Sequence, residues 1–131
     1  MRVLVVDAAN VVGARPDGWW RDRAGATARL LDRLAAPLTG VDVPGRDEVV
    51  VVVEGAARDV PAPDGVRLVR APGSGDDALA AEADALAAAG RAVLAVTADR
   101  GLRARLPAGT EVRGPGWLLG VLDRMAGNPP G

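Results

Sequence analysis

The fold is decided by the stretch Val3-Leu4-Val5-Val6-Asp7-Ala8-Ala9-Asn10, in which four apolar residues precede a carboxylate and an amide. An unbroken apolar run of this length is typical of a central parallel strand, because helices cover both faces of such a strand. Ligands of open parallel sheets bind beyond the carboxyl ends of the strands. We therefore expect Asp7 and Asn10 to lie where a functional site forms.

The composition of the chain restricts the chemistry that it can perform. Its 131 residues include no Cys, His, Lys, Phe, Tyr or Ile, and all 16 basic residues are Arg. The absence of Cys and His excludes thiol and imidazole catalysis, disulfides and the usual zinc sites. Carboxylates, hydroxyls, Asn and Arg remain, and these suit hard, oxygen-coordinated cations such as Mg²⁺ or Mn²⁺.

The net charge of −1 argues against a high-affinity, passive binder of nucleic acid, which commonly carries a basic patch. It argues less against a nuclease, because bound cations would supply positive charge at the point of contact. The sequence has neither a signal-peptide pattern nor an apolar run near 18 residues. We therefore expect a cytoplasmic protein that does not associate with membranes.

Strand and helix patterns alternate along the chain. After the first strand and a loop over 11–20, strands are predicted at 48–54, 66–69, 92–96 and 111–112, and helices at 22–36, 76–89, 99–106 and 114–125, with a linker over 39–47. This alternation predicts an α/β fold, a Rossmann-like three-layer sandwich with a mainly parallel five-stranded sheet in the order 3-2-1-4-5. We expect a single domain over 1–126 and a disordered tail over 127–131.

Acidic residues fall at strand ends or helix starts on one predicted edge of this sheet. They are Asp7, Glu54, Asp76 with its neighbour Asp77, and Asp99. The strand order reverses direction between the first and fourth strands, which brings Asp7 beside Asp99. Clustered carboxylates repel one another, so such a cluster can hold one or two metal ions that acidify water and neutralise charge on a phosphate. Phosphodiester hydrolysis is the reaction that most needs this arrangement.

Each acid also has an interpretation that requires no ligand. Asp99 could be only a helix N-cap, and Asp76 and Asp77 could complement the positive end of a helix. Asp7 could be a turn residue that bonds its own backbone. Glu54 is the weakest member, because an acid after an apolar strand is common. Convergence on one edge favours a site, since chance would scatter acids over both ends of the strands.

Four short motifs occur in a characteristic order: Asp7-x-x-Asn10, the acid that closes the Val-rich second strand, Ser74-Gly75-Asp76-Asp77 at a helix start, and Val96-Thr97-Ala98-Asp99. Over residues 2–122 the chain thus resembles the NYN branch of the PIN-like nucleases, particularly the bacterial YacP-like group. The resemblance implies a PIN-like fold and RNA cleavage that depends on Mg²⁺ or Mn²⁺. It implies that Asp7, Asp76 and Asp99 bind metal and that Asn10 orients a ligand, water or backbone at the site. Asp77 is a further candidate metal ligand.

The loop over 13–23 contains two of the three Trp and several Arg beside the predicted site. Aromatic faces and guanidinium groups bind single-stranded RNA by stacking and by pairing with phosphates. Arg15 and Trp19 are therefore candidates for substrate binding, as is Arg100, which follows Asp99. We expect one Trp of the loop to pack as core, because the chain has no Phe or Tyr to fill space.

The sequence thus favours an endoribonuclease in which an activated water attacks phosphorus while Asn10 and nearby Arg residues position single-stranded RNA. Two alternatives remain open, a catalytically silent PIN-like module that binds RNA or a protein, and a nucleotide phosphohydrolase. The silent module is favoured by the near-neutral charge and by Gly101, where some NYN members carry a further acid. The second strand, the tail and the Trp loop could each support a homodimer.

Overall fold

The computed structural model of the protein describes residues 2–15, 18–35 and 46–125. Most of the linker predicted over 39–47, the end of the helix predicted over 22–36 and the tail predicted over 127–131 lie outside these ranges. The described strands are β1 (Arg2–Asp7), β2 (Arg46–Val53), β3 (Val66–Arg70), β4 (Ala92–Val96) and β5 (Glu111–Arg113). The α-helices are α1 (Ala8–Val12), α2 (Arg23–Ala35), α3 (Gly75–Ala88), α4 (Arg100–Arg105) and α5 (Pro115–Met125).

The five strands form one all-parallel sheet in the order β3-β2-β1-β4-β5, which confirms the predicted fold. β1 lies at the centre, where Val5 pairs with Val50 of β2 on one side and with Ala95 of β4 on the other. The order reverses at β1, so the carboxyl ends of β1 and β4 lie next to each other. The predicted switch point is therefore present.

Two apolar clusters, one on each face of the sheet, make up the core. Alternate residues of β1 enter different clusters, Leu4 and Val6 on one face and Val3 and Val5 on the other, and none is more than 2% exposed. Leucines of α2 and α5 cover the first face, while α3 and α4 cover the second. Burial on both faces explains why the strand sequence is a continuous apolar run rather than an alternating one.

The structure differs from the sequence prediction around the switch point. The helix α1 begins directly after β1, so the prediction of a loop over 11–20 is wrong at its start, and a short 3₁₀ helix occupies Trp19–Arg21. A helix of five residues is too short to show helical periodicity in the sequence. Other boundaries shift by one or two residues, as helix and strand ends commonly do. Within the described ranges, every helix is too short or too polar to span a bilayer.

Buried leucine side chains pack the α3 helix against the sheet, and substitution of one of them tests this packing. Leu79 is 0% exposed in the cluster formed with β1, β2 and β4, whereas Leu106 packs half-buried at the border of the same cluster. We expect Leu79→Ala to lower the free energy of unfolding by about 2–5 kcal/mol, because it leaves a cavity. Leu106→Ala should cost less than half as much. Urea denaturation of both variants checks this, and equal losses would contradict the packing.

Candidate active site

Asp7 is a buried carboxylate at the junction of β1 and α1. It is 4% exposed and caps α1, accepting a hydrogen bond from the backbone N–H of Asn10 at 3.4 Å. The Asn10 side-chain amide donates to Asp7 Oδ2 at 2.5 Å, and Thr97 Oγ1 donates to the same oxygen at 3.3 Å. Burial raises the pKa of Asp7, and the hydrogen bonds from Asn10 and Thr97 offset part of that rise.

The Asn10 side chain joins the ends of β1 and β4. While its Nδ2 donates to Asp7, its Oδ1 accepts the backbone N–H of Ala98 at 3.2 Å. Thr97 provides a second link, because its hydroxyl donates to Asp7 and also accepts the N–H of Asp99 at 3.1 Å. The predicted proximity of the acids after the first and fourth strands is thus explained by a continuous hydrogen-bond network.

Asp99 and Asp76 face each other across the site. Asp99 caps α4, and its pKa is lowered first by the hydrogen bond from the Leu102 N–H at 2.9 Å and further by a hydrogen bond shared with Asp76. Asp76 lies in the first turn of α3, where burial, the hydrogen bond to Asp99, and the negative charges of Asp99, Asp7 and Glu54 raise its pKa. Burial and like-charge repulsion therefore weigh against the ionised form of Asp76, whereas the Leu102 N–H stabilises the ionised form of Asp99.

Glu54 fixes the start of α3. One of its carboxylate oxygens, Oε2, accepts the backbone N–H of Gly75 at 2.5 Å. A Cβ at position 75 would lie 2.7 Å from that oxygen, so a residue other than Gly would require the Glu54 carboxylate to shift. From sequence, Glu54 is the weakest member of the acidic group, because an acid after an apolar strand is common. A Gly directly before Asp76 at a helix start was the signal that could have revealed its role in positioning.

The structure does not direct every predicted site residue toward this pair. Asp77 is exposed and forms an ion pair with Arg105 at 2.8 Å. Arg15 forms an ion pair with Asp123 of α5 at 2.7 Å. Arg100 is exposed at the first position of α4, directly after Asp99.

The two Trp residues of the loop have different environments. Trp20 is 52% exposed, whereas Trp19 is half-buried and lines a cavity next to the acid site. Their rings meet edge to face, with centroids 5.9 Å apart. The Arg23 guanidinium lies 5.3 Å from the Trp19 ring centroid, within the range of a cation–π contact. Trp19 therefore forms part of the cavity wall next to the acids, whereas the Trp20 ring is open to solvent.

The acids fit an open metal site better than a closed one. No three acids in the described part of the chain come close enough together to hold a metal ion between them. Mg²⁺ is usually held by only one or two carboxylates, with water and substrate phosphates as its other ligands. The facing carboxyl groups of Asp76 and Asp99 meet that requirement, because an ion between them would neutralise their mutual repulsion.

Two solved structures share this arrangement of strands and helices. The crystal structure of Rae1 (YacP) from Bacillus subtilis superposes with a TM-score of 0.75 at 19% identity, covering 96% of this chain and 76% of that chain. A mutant of the same protein gives a TM-score of 0.71 at 21% identity, covering 96% and 77%. This chain has a YacP-like fold. No protein-family model matches the sequence, and no curated protein is significantly similar to it.

Burial and the neighbouring negative charges at Asp76 predict a gain in stability when its charge is removed. We expect Asp76→Asn to raise the free energy of unfolding at pH 7 by about 0.5–1 kcal/mol, a modest gain because solvent screens a half-buried position. The pKa of Asp76 is raised above its ordinary value of 3.8 in the folded protein, so its charge is destabilising at neutral pH. The gain should disappear as the pH falls through the raised pKa to below 3.8.

Asp77→Asn is the matched control for this measurement. The same substitution one residue away removes an exposed ion pair with Arg105, which is worth only about 0–1 kcal/mol. It should leave stability unchanged or slightly reduced. Thermal unfolding of both variants between pH 3 and pH 7 checks the prediction. Equal behaviour of the two variants would mean that the charge of Asp76 does not destabilise the folded protein.

Proposed function

We propose that the protein is an endoribonuclease of the NYN, PIN-like type that hydrolyses phosphodiester bonds in single-stranded RNA with the help of Mg²⁺ or Mn²⁺. The observation that carries this proposal is the facing pair of Asp76 and Asp99 carboxyl groups beside buried Asp7. The YacP-like fold supports it, because the sequence motifs that resemble YacP-like nucleases contain these same acids. A cytoplasmic location and a homodimer remain further proposals.

The acidic residues have different roles in the proposed site. Asp76 and Asp99 would hold the metal, and the negative charge of Asp7 would strengthen the attraction for a cation. When bound, the metal would acidify water and neutralise charge on the phosphodiester. Asp77 is directed toward Arg105, so we assign it no share in metal binding.

Asn10 acts in this proposal as a positioning residue. Its amide nitrogen is engaged by Asp7 and its amide oxygen by the Ala98 N–H, so both ends of the side chain serve the protein itself. By joining β1 to the segment after β4, it keeps Asp7 and Asp99 at a constant separation. The resemblance to YacP-like nucleases implies that Asn10 orients a ligand, water or backbone at the site, and the proposed role is the last of these.

Exposed groups around the acids offer contacts for an RNA strand. Trp20 presents an aromatic face on which a base can stack, and Arg100 follows Asp99 with its guanidinium exposed. A guanidinium pairs with phosphate oxygens through charge-assisted hydrogen bonds. Arg15 is already paired with Asp123, so we expect it to contribute less to RNA binding than Arg100.

An RNA-cleavage assay tests the assignment. Purified protein should cleave labelled single-stranded RNA in Mn²⁺ or Mg²⁺, and chelation of the metal should abolish cleavage. Asp76→Asn and Asp99→Asn should each lower the rate by about 100-fold or more, whereas Asp77→Asn should retain most of it. Equal rates in the wild type and in the Asp76 and Asp99 variants would indicate a contaminating nuclease and reject the proposal.

The same assay separates the two alternatives. The silent RNA- or protein-binding module is favoured by the local bonds of Asp7 and Asp99, since both carboxylates also serve as helix caps. RNA binding without cleavage would support that module. Cleavage of free nucleotides but not of RNA would support the phosphohydrolase.

A further inference from the structure

A cavity of about 320 Å³ adjoins the acid site on the side of α1 and α2. Its wall includes Ala8, which directly follows Asp7, and Glu54, whose charge raises the pKa of Asp7. The volume lies at the lower end of the roughly 300–1,000 Å³ typical of small-molecule sites. A small planar ligand in this cavity would therefore lie next to the acids.

The cavity combines an aromatic wall with a few polar groups. Trp19 and Arg23 form one side. Thr27 also lines the cavity, and no described residue forms a hydrogen bond with its hydroxyl. Because no buried side-chain polar atom in the described ranges lacks a partner, that hydroxyl must reach the open space of the cavity.

Glu54 supplies the acceptor in this cavity. Its Oε2 accepts the Gly75 N–H, and no described residue donates to its other carboxylate oxygen. A carboxylate only accepts hydrogen bonds, so it favours a ligand edge that carries N–H donors. An aromatic ring with a guanidinium over it on one wall and a carboxylate acceptor on another are groups with which proteins recognise unstacked nucleobases.

We propose that this cavity binds one nucleobase of the substrate and selects bases that carry an amino group. Guanine, adenine and cytosine can donate an amino N–H to Glu54, whereas the edge of uracil places carbonyl oxygens on both sides of its single N–H. A site built to accept a donor rejects a ligand that lacks it, because its own polar group is then left without a partner. The place of this base beside the cleaved bond rests on the proposed nuclease function.

Binding of free nucleosides tests this site without any cleavage. Nucleosides carry no phosphate, so their binding requires neither a metal ion nor catalysis. We expect guanosine, adenosine and cytidine to shift the indole N–H signal of Trp19 in NMR titrations. The affinity for uridine should be lower by about tenfold or more. This is the loss expected when a hydrogen bond to a charged group is missing.

Substitution of Glu54 tests the base preference most directly. In Glu54→Gln the amide oxygen can still accept the Gly75 N–H while the amide nitrogen turns a donor toward the cavity. The order of affinities should then shift in favour of uridine. Glu82→Gln is the matched control, because the same change on a carboxylate that pairs with Arg67 on the outer side of α3 should leave the order unchanged.

Thr27→Val is a further test, because Val has nearly the same shape as Thr and the same charge. It removes only the hydroxyl at the cavity wall and should weaken nucleoside binding several-fold with no change in the fold. Equal affinity for all four nucleosides, an unchanged order in Glu54→Gln, or no binding at millimolar concentration would each overturn the base-selective site. Ordered nucleoside binding without RNA cleavage would support the cavity and reject the nuclease, whereas cleavage without nucleoside binding would reject the cavity alone.

Discussion

The site depends on a carboxylate that is buried at the end of the central strand. A desolvated charge at Asp7 is costly unless hydrogen bonds compensate it, and Asn10 and Thr97 provide those bonds. The same two residues bond to the backbone of Ala98 and Asp99. The compensation of one buried charge therefore fixes the ends of β1 and β4 to each other, and with them the position of the acid that caps α4.

This arrangement places like charges around Asp76, and their repulsion costs free energy when Asp76 is ionised. Burial and the charges of three neighbouring acids raise its pKa, while the Leu102 N–H and the hydrogen bond with Asp76 hold the pKa of Asp99 low. A fold selected for stability alone would place no second carboxyl group opposite Asp99. Groups whose pKa values are separated in this way are characteristic of functional sites, because a bound cation or substrate removes the repulsion that the free protein retains.

The sheet order and the shared edge of the acids could be predicted from sequence, because the apolar strands and Gly- or Pro-bounded helices have clear patterns. The helix α1 could not, since its start depends on the cap provided by Asp7 rather than on periodicity. Nor could the spacing of the residues alone separate Asp76 from Asp77, although the resemblance to YacP-like nucleases favours Asp76. Successive residues of an α-helix point about 100° apart, so only one of two adjacent acids can face Asp99, and the register of α3 decides which.

Glu54 helps to place the first turn of α3, together with Ser74, whose side chain caps the helix by accepting the Asp76 N–H. The Glu54 carboxylate bonds to the Gly75 N–H, and a Cβ at position 75 would force that carboxylate to shift. Because Glu54 also lines the cavity with Trp19, one side chain belongs both to the support of Asp76 and to the wall of the neighbouring cavity.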